Sequence, residues 1–340
     1  MRKRRLADFA LAAASAMLAG ILLVGGYEIY ESHRYEEWKS AYTLMIQRHD
    51  TLTIASPNEI LLWEYRPNGT FYDAQIKYEI KTNSYGFRDA EHGLTKKEPK
   101  FLRVAFIGDS ITLGLKVGEE NTFVRLFEKL ARDAYPAWKI QAMNFGIDGY
   151  HVMQIYELAR TKVLRFSPDM VVYVMCLNDF DFEDASGKKM LYFKKPNSFL
   201  LEKLAQLYKR LSQKEYHRYY FDRNKQTAFL YIAKLQELLQ REGIRFQIAL
   251  LPVFEKTGDG FKNYPLKDLH REIGRFLAEH KLAAVDLIEN FATQDKPPRF
   301  YAHDIWHPNE EGHRFIAQQL LRPVLQSFFD DPPAAGVAGS

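Results

Sequence analysis

Val104-Ala105-Phe106-Ile107-Gly108-Asp109-Ser110-Ile111-Thr112-Leu113-Gly114 decides the fold. An apolar run with the character of a buried strand ends on Gly-Asp-Ser, and a helix is predicted beyond it. A serine at the carboxyl end of a strand stands where open α/β sheets bind ligands and carry out chemistry. Outward from this stretch, apolar runs at 140–145, 170–176, 245–251 and 283–287 read as strands. Helical patterns at 122–134, 152–165, 266–280 and 310–327 separate or follow them. Strands that alternate with helices predict a parallel sheet covered on both faces, an α/β domain over 100–328.

Two further segments fall at the same predicted edge: Leu177-Asn178-Asp179 after the 170–176 strand, and Asp304-Ile305-Trp306-His307-Pro308 near the C-terminus. Singly, each has a plain reading. Gly-Asp-Ser is a common turn, and Asn-Asp often ends a strand or caps a helix. Asp304 and His307 fit an Asx turn with a capping histidine, or two metal ligands, although no partnering His, Cys or Asp pattern completes a metal site. The conjunction, in this order and each beside a predicted strand or helix, outweighs the separate readings.

Together these residues resemble the SGNH (GDSL-type) hydrolase family over roughly residues 100–325. The resemblance implies a three-layer α/β/α, flavodoxin-like parallel sheet and ester chemistry with no cofactor and no metal. Carried over position by position, it makes Ser110 the nucleophile, His307 its base and Asp304 the partner of His307. It makes the N–H groups of Ser110 and Gly149 (in Asn144-Phe145-Gly146-Ile147-Asp148-Gly149) and the Asn178 amide the oxyanion hole. Asp109 and Asp179 are possible substrate contacts. One departure is visible: the family's third block usually reads Gly-x-Asn-Asp, and Cys176 stands at that glycine, where a side chain would reshape the pocket. His313, on the predicted last helix, reads as structural.

Upstream, Thr82-Asn83-Ser84-Tyr85-Gly86-Phe87-Arg88-Asp89 resembles an Asn-x-x-Gly-Phe-Arg element of membrane-anchored bacterial members. Its plain reading is a tight turn in which Arg88 pairs with a carboxylate; a direct substrate contact by Arg88 is the sharper one. Residues 31–99 read as a stalk and a small strand-containing segment, with strands expected at 61–65 and 78–82. Residues 180–225, with many lysines and tyrosines, break the alternation and are expected as an insert forming a lid or rim. Residues 329–340 read as a disordered tail.

The N-terminus carries a membrane signal. Arg2-Lys3-Arg4-Arg5 precedes about eighteen uncharged residues from Phe9 to Gly26, roughly 27 Å of helix against a hydrocarbon core of roughly 30 Å. Glu28, Glu31, Glu36 and Glu37 follow. Basic residues on one flank and acidic ones on the other predict residues 1–30 as an uncleaved, single-pass anchor in a bacterial inner membrane, with the rest of the chain outside the cytoplasm. A cleaved signal peptide competes, since Ala14-Ser15-Ala16 fits a small-x-small site, but more apolar residues follow it.

The 340 residues fit an anchor and one globular unit of α/β size. A net charge of +4 gives no reason to expect a nucleic-acid partner, and the single cysteine excludes an internal disulfide. The functional expectation is a membrane-anchored serine esterase or acyltransferase acting on O-acyl, above all O-acetyl, esters of an envelope or secreted glycan. Its partners would be such a glycan or a small ester, the membrane, and a membrane-bound acyl-transfer partner. A lipid esterase or thioesterase is the second reading, and a non-enzymatic assembly subunit of a glycan export or acylation complex the third.

Overall fold

A computed structural model describes residues 2–47, 52–73, 78–95, 99–182, 195–211, 213–254, 261–294 and 296–330. The expected tail from residue 331 lies outside these. The chain divides into two units, Met1–Asp50 with Ala185–Tyr216, and Thr51–Asp184 with His217–Ser340.

The larger unit is built on five parallel strands: β5 (Phe101–Gly108), β6 (Lys139–Gly146), β7 (Met170–Met175), β8 (Arg245–Leu250) and β9 (Ala283–Asp286). Their order is β6-β5-β7-β8-β9, the flavodoxin-like arrangement. Six residues of β7 are all buried, as a strand covered on both faces requires. Because β5 is flanked by β6 and β7, the chain leaves it in one direction and later passes it in the other. That reversal opens a crevice at the carboxyl ends of these three strands.

The crossovers put α3 (Phe123–Ala134) on one face and α4 (Val152–Thr161), α6 (Gln213–Arg241) and α7 (Lys267–Glu279) on the other. Aromatic contacts agree with this division. Phe106 of β5 meets Phe123 and Phe127 of α3 at 5.5 and 5.0 Å between ring centroids. Across the sheet, Tyr156 of α4 meets Tyr231 of α6, and Phe229 of α6 stacks on Phe276 of α7. The final helix α9 (Glu310–Phe329) returns beside α3, preceded by the short α8 (Leu287–Ala292).

After β7 the chain leaves the larger unit over Ala185–Tyr216, so the segment 180–225 expected as an insert is one only in part. From Gln213, the segment expected as an insert is the start of the 29-residue α6, the crossover from β7 to β8. Tyr220 and Phe221 are buried in that helix's packing, while Tyr219 is half exposed. Residues 183–194, with Lys188, Lys189 and Lys194, lie outside the described part.

Residues 52–95 form two antiparallel pairs, β1 (Thr53–Ala55) with β2 (Trp63–Tyr65), and β3 (Thr70–Asp73) with β4 (Tyr78–Lys81). Gly86 closes the following turn at φ 82°, and a Cβ there would overlap the carbonyl of Tyr65. Asn83 accepts from the Tyr85 and Phe87 N–H groups, fixing the same turn.

In the smaller unit, α1 is one continuous helix, Arg2–Gln47, of which Leu11–Glu37 is long and apolar enough to cross a membrane. The stalk expected from residue 31 begins, up to Gln47, as an extension of the same helix. Against it packs α5 (Phe199–Leu211), whose first turn is capped by Glu28.

Candidate active site

Strand β5 delivers Ser110 to the crevice. The backbone leaves Gly108, and the Asp109 side chain caps the next turn by accepting from Ile111 N at 2.9 Å. Ser110 thus begins the four-residue helix α2 (Ser110–Leu113), closed by Gly114 in the left-handed region at φ 76°. The end of β6 lies so near that a Cβ on Gly146 would overlap the Leu113 backbone nitrogen. Only glycine at 146 allows α2, and with it Ser110, to sit against the sheet edge.

Asp304 and His307 arrive from a tight loop before α9. A bridge between Ala302 and Pro308 closes it, and His303 N donates to the His307 carbonyl at 2.9 Å. The Asp304 carboxylate accepts from the N–H groups of Trp306 and His307, each at 2.8 Å, so the spacing of three makes an Asx-type turn. The same carboxylate stands 2.9 Å from His307 Nδ1, and His307 Nε2 stands 3.1 Å from Ser110 Oγ. The structure thereby brings together all three residues in the order hydroxyl, imidazole, carboxylate. Ser110 is buried, at 5% exposed.

A fourth side chain, not marked by any sequence pattern, joins this row. Lys116 donates to Asp304 Oδ2. Burial alone would raise the Asp304 carboxyl, but its bond to His307, the imidazole's charge and the Lys116 ammonium outweigh that and hold it well below the usual carboxylate range. An acid so placed stays ionised and can support a positive charge on His307 without taking its proton.

On the other side of Ser110, β7 delivers Asn178 on the 3₁₀ turn Leu177–Phe180. Asn178 Nδ2 donates one hydrogen to Asp109 Oδ2 at 2.6 Å. An amide nitrogen carries two hydrogens, so Asp109 orients the group and leaves the second for a ligand. Gly149 lies in the turn between β6 and α4, at φ 77°. Cys176 is buried at φ −130°, an extended conformation open to any residue, so the backbone makes no demand for glycine there.

Asp109, Asp179 and Arg88, expected as possible substrate contacts, are each only 1% exposed and each held by protein groups. Asp179 accepts from Tyr173 Oη at 2.7 Å and Cys176 N at 3.1 Å. Burial, with Asp109 close by, pushes its carboxyl well up. The Arg88 guanidinium donates to the carbonyls of Leu113, Gly114 and Val117 at 3.2, 2.6 and 2.7 Å. It meets backbone, not the carboxylate expected of it, and it clamps the loop that carries Lys116.

The upstream segment braces the site elsewhere too. Asp89 accepts from Asn144 N at 2.7 Å and pairs with Arg125 of α3. Tyr65 Oη receives Asp148 N at 3.1 Å, and Trp63 Nε1 donates to the Asp148 carbonyl. Trp63 also meets Tyr150 edge-on at 5.3 Å. The turn holding Gly149 is thus pinned on both sides by β2.

The model of the GDSL-like lipase/acylhydrolase family matches residues 106–315. No curated protein matches the chain. Among solved structures, an acetyl xylan esterase (AlAXEase) is similar at 17% identity and a TM-score of 0.45, over 66% of this chain and 100% of that one. A catalytic mutant of an acetylxylan esterase from Geobacillus stearothermophilus is similar at 18% identity and a TM-score of 0.44, over 66% of this chain and 94% of that one.

Proposed function

This chain belongs to the GDSL-like lipase/acylhydrolase family, a family of ester hydrolases, and on that premise we propose that Ser110, His307 and Asp304 form its catalytic row. The observation that carries the assignment is the unbroken path from Ser110 Oγ to His307 Nε2 (3.1 Å) and from His307 Nδ1 to Asp304 (2.9 Å).

Ser110 Oγ attacks the ester carbonyl as its proton passes to His307 Nε2, and Asp304 supports the imidazolium from the other side. The carbonyl oxygen becomes an oxyanion facing the Ser110 and Gly149 N–H groups and the second hydrogen of Asn178 Nδ2. Collapse breaks the bond to the alcohol oxygen, which takes the proton back from His307 and leaves an acyl ester on Ser110. Water, or a sugar hydroxyl in a transferase, then repeats the sequence in reverse.

The substrate we propose is an O-acyl, above all O-acetyl, ester of an envelope or secreted glycan. Its support is topological: Leu11–Glu37 is long and apolar enough to span a bilayer, and the basic residues before it favour an N-terminus in the cytoplasm. The larger unit would then meet glycans outside the cytoplasm. The test gives purified full-length protein in detergent a small acetyl ester, an O-acetylated polysaccharide and a long-chain acyl ester. Acetate release from the first two, abolished in Ser110→Ala, is expected. Turnover confined to the long-chain ester would replace this reading with lipid hydrolysis, and no turnover of any ester would favour an assembly subunit.

A further inference from the structure

Helix α5 leaves its largest side chains in the open. Leu201, Leu204, Leu207, Tyr208 and Leu211 are 68, 51, 51, 60 and 79% exposed. At roughly 100° per residue they share a stripe about 120° wide, the width a helix normally buries. Five large apolar groups on a thirteen-residue helix are far from the scattered exposure of an ordinary surface.

The attachment of α5 sets its height along α1. Glu28 accepts from Ser198 Oγ at 2.6 Å, Phe199 N at 2.8 Å and Leu200 N at 3.0 Å, so it caps the helix from α1. Lys203 pairs with Glu31 at 3.8 Å, Lys195 with Glu36 at 3.2 Å, and Tyr35 meets the Phe199 ring at 6.1 Å. The uncharged run of α1 ends at Gly26, so Glu28 and Glu31 stand about 3 and 8 Å beyond it at 1.5 Å per residue. A headgroup layer is roughly 5–8 Å deep on each side of the hydrocarbon. The start of α5 therefore coincides with that layer. Its sequence adds Lys203, Lys209 and Arg210 against a single acid, Glu202, a charge that suits anionic lipid.

We infer that α5 is an in-plane interfacial helix, its leucine stripe seated at the boundary of headgroups and acyl chains of an anionic bilayer. This rests on the reading of α1 as a membrane span. The stripe supplies the apolar area, and Glu28 fixes the level at which it stands. The helix thus adds a second, lateral attachment to the anchor.

The experiment places an environment-sensitive fluorophore at Leu204→Cys in the full-length protein. The native Cys176 is buried, and unmodified protein serves as the labelling control. The protein is reconstituted into phosphatidylglycerol/phosphatidylcholine vesicles with and without lipid brominated near the top of the acyl chain. Leu22→Cys, inside the apolar run, is labelled in parallel against deeply brominated lipid. Quenching at both positions is expected. Quenching at 22 with none at 204, blue-shifted or not, overturns the interfacial helix and leaves the anchor standing. Quenching at neither removes both readings. Leu211→Cys, at the most exposed position of the stripe, replaces Leu204→Cys if that variant does not fold, with the same outcomes.

Discussion

Lys116 and His307 share one oxygen: Oδ2 of Asp304 receives the Lys116 ammonium and stands 2.9 Å from His307 Nδ1. Lys116 adopts φ 72° in the loop after α2, and Arg88, 28 residues upstream, grips that loop through three carbonyls. A linear path thus runs from the segment before the sheet through Lys116 and Asp304 to His307 and Ser110. Lys116 touches no reacting atom in this arrangement. It bonds the Asp304 carboxylate from the side away from the serine and helps to keep it ionised.

Lys116→Met should accordingly lower kcat by roughly tenfold, about 1.4 kcal/mol, with little change in KM. Removing a cation beside the Asp304–His307 pair favours the pair's protonated form, so the acid limb of the kcat/KM profile should move to higher pH. Lys116→Arg should restore most of the rate. A loss of rate with an unmoved pH profile and no recovery in the arginine variant would reduce Lys116 to a fold contact.

Ser110→Ala should abolish labelling by a fluorophosphonate probe and lower turnover by at least about a thousandfold. His307→Ala should be nearly as damaging, and Asp304→Asn should keep the fold while slowing turnover by roughly ten-thousandfold, since the amide favours the wrong imidazole tautomer. Circular dichroism of each variant separates loss of chemistry from loss of structure. Normal turnover in a folded His307→Ala protein would remove it as the base.

The five sheet strands, with α3, α4, α7 and α9 beside them, were legible because apolar runs of strand length alternate with amphipathic helices. The expected 140–145 and 245–251 differ from β6 and β8 only at their ends. Asp304 and His307 were legible as a pair because an Asx turn needs only local sequence. The β1 and β3 strands were not, since three or four residues carry too little alternation to stand out. Polar residues on α6 hid the crossover helix, whose buried face appears only once α4 and α7 are in place. Arg88 could be recognised as special, but not its partners. Backbone carbonyls brought near by a distant turn leave no trace in sequence, and Lys116 owes its position to that same turn.

Asp109→Asn tests how the oxyanion donor is aimed. The asparagine can still cap Ile111 through its oxygen, but its NH₂ then faces the NH₂ of Asn178, replacing an acceptor by a donor at 2.6 Å. The Asn178 amide must turn away, taking its second hydrogen with it. Asn178→Ala should slow turnover by roughly a hundred- to thousandfold, and Asp109→Asn by roughly tenfold or more, with probe labelling slowed in step. Unchanged turnover in a folded Asn178→Ala protein would exclude the side chain from the oxyanion hole.

The last prediction concerns stability and pH through His313, which the structure buries between α9 and α3. Its Nδ1 accepts from Phe123 N at 3.1 Å, and its ring stacks on Phe123 at 5.8 Å. Burial, reinforced by the Arg88 cation and by His303 and His307 whenever they are protonated, lowers its pKa from 6.5 to about 3. An acceptor Nδ1 and a buried ring both require the neutral form. Above pH 6.5 the imidazole is neutral whether the chain is folded or not, and its contribution to stability is complete. As pH falls from 6.5 towards 3, the unfolded chain takes a proton that the folded one refuses, and stability is lost at up to about 1.4 kcal/mol per pH unit. His313→Phe keeps the ring stack but cannot titrate. Between pH 7 and pH 5, full-length protein in detergent should therefore lose up to roughly 2 kcal/mol more than His313→Phe does, read as a steeper fall in melting temperature. The variant will start lower, because Phe123 N has lost its acceptor, so the comparison is between slopes. Parallel slopes would mean that His313 is already charged in the folded protein, and that its Nδ1 does not accept from Phe123.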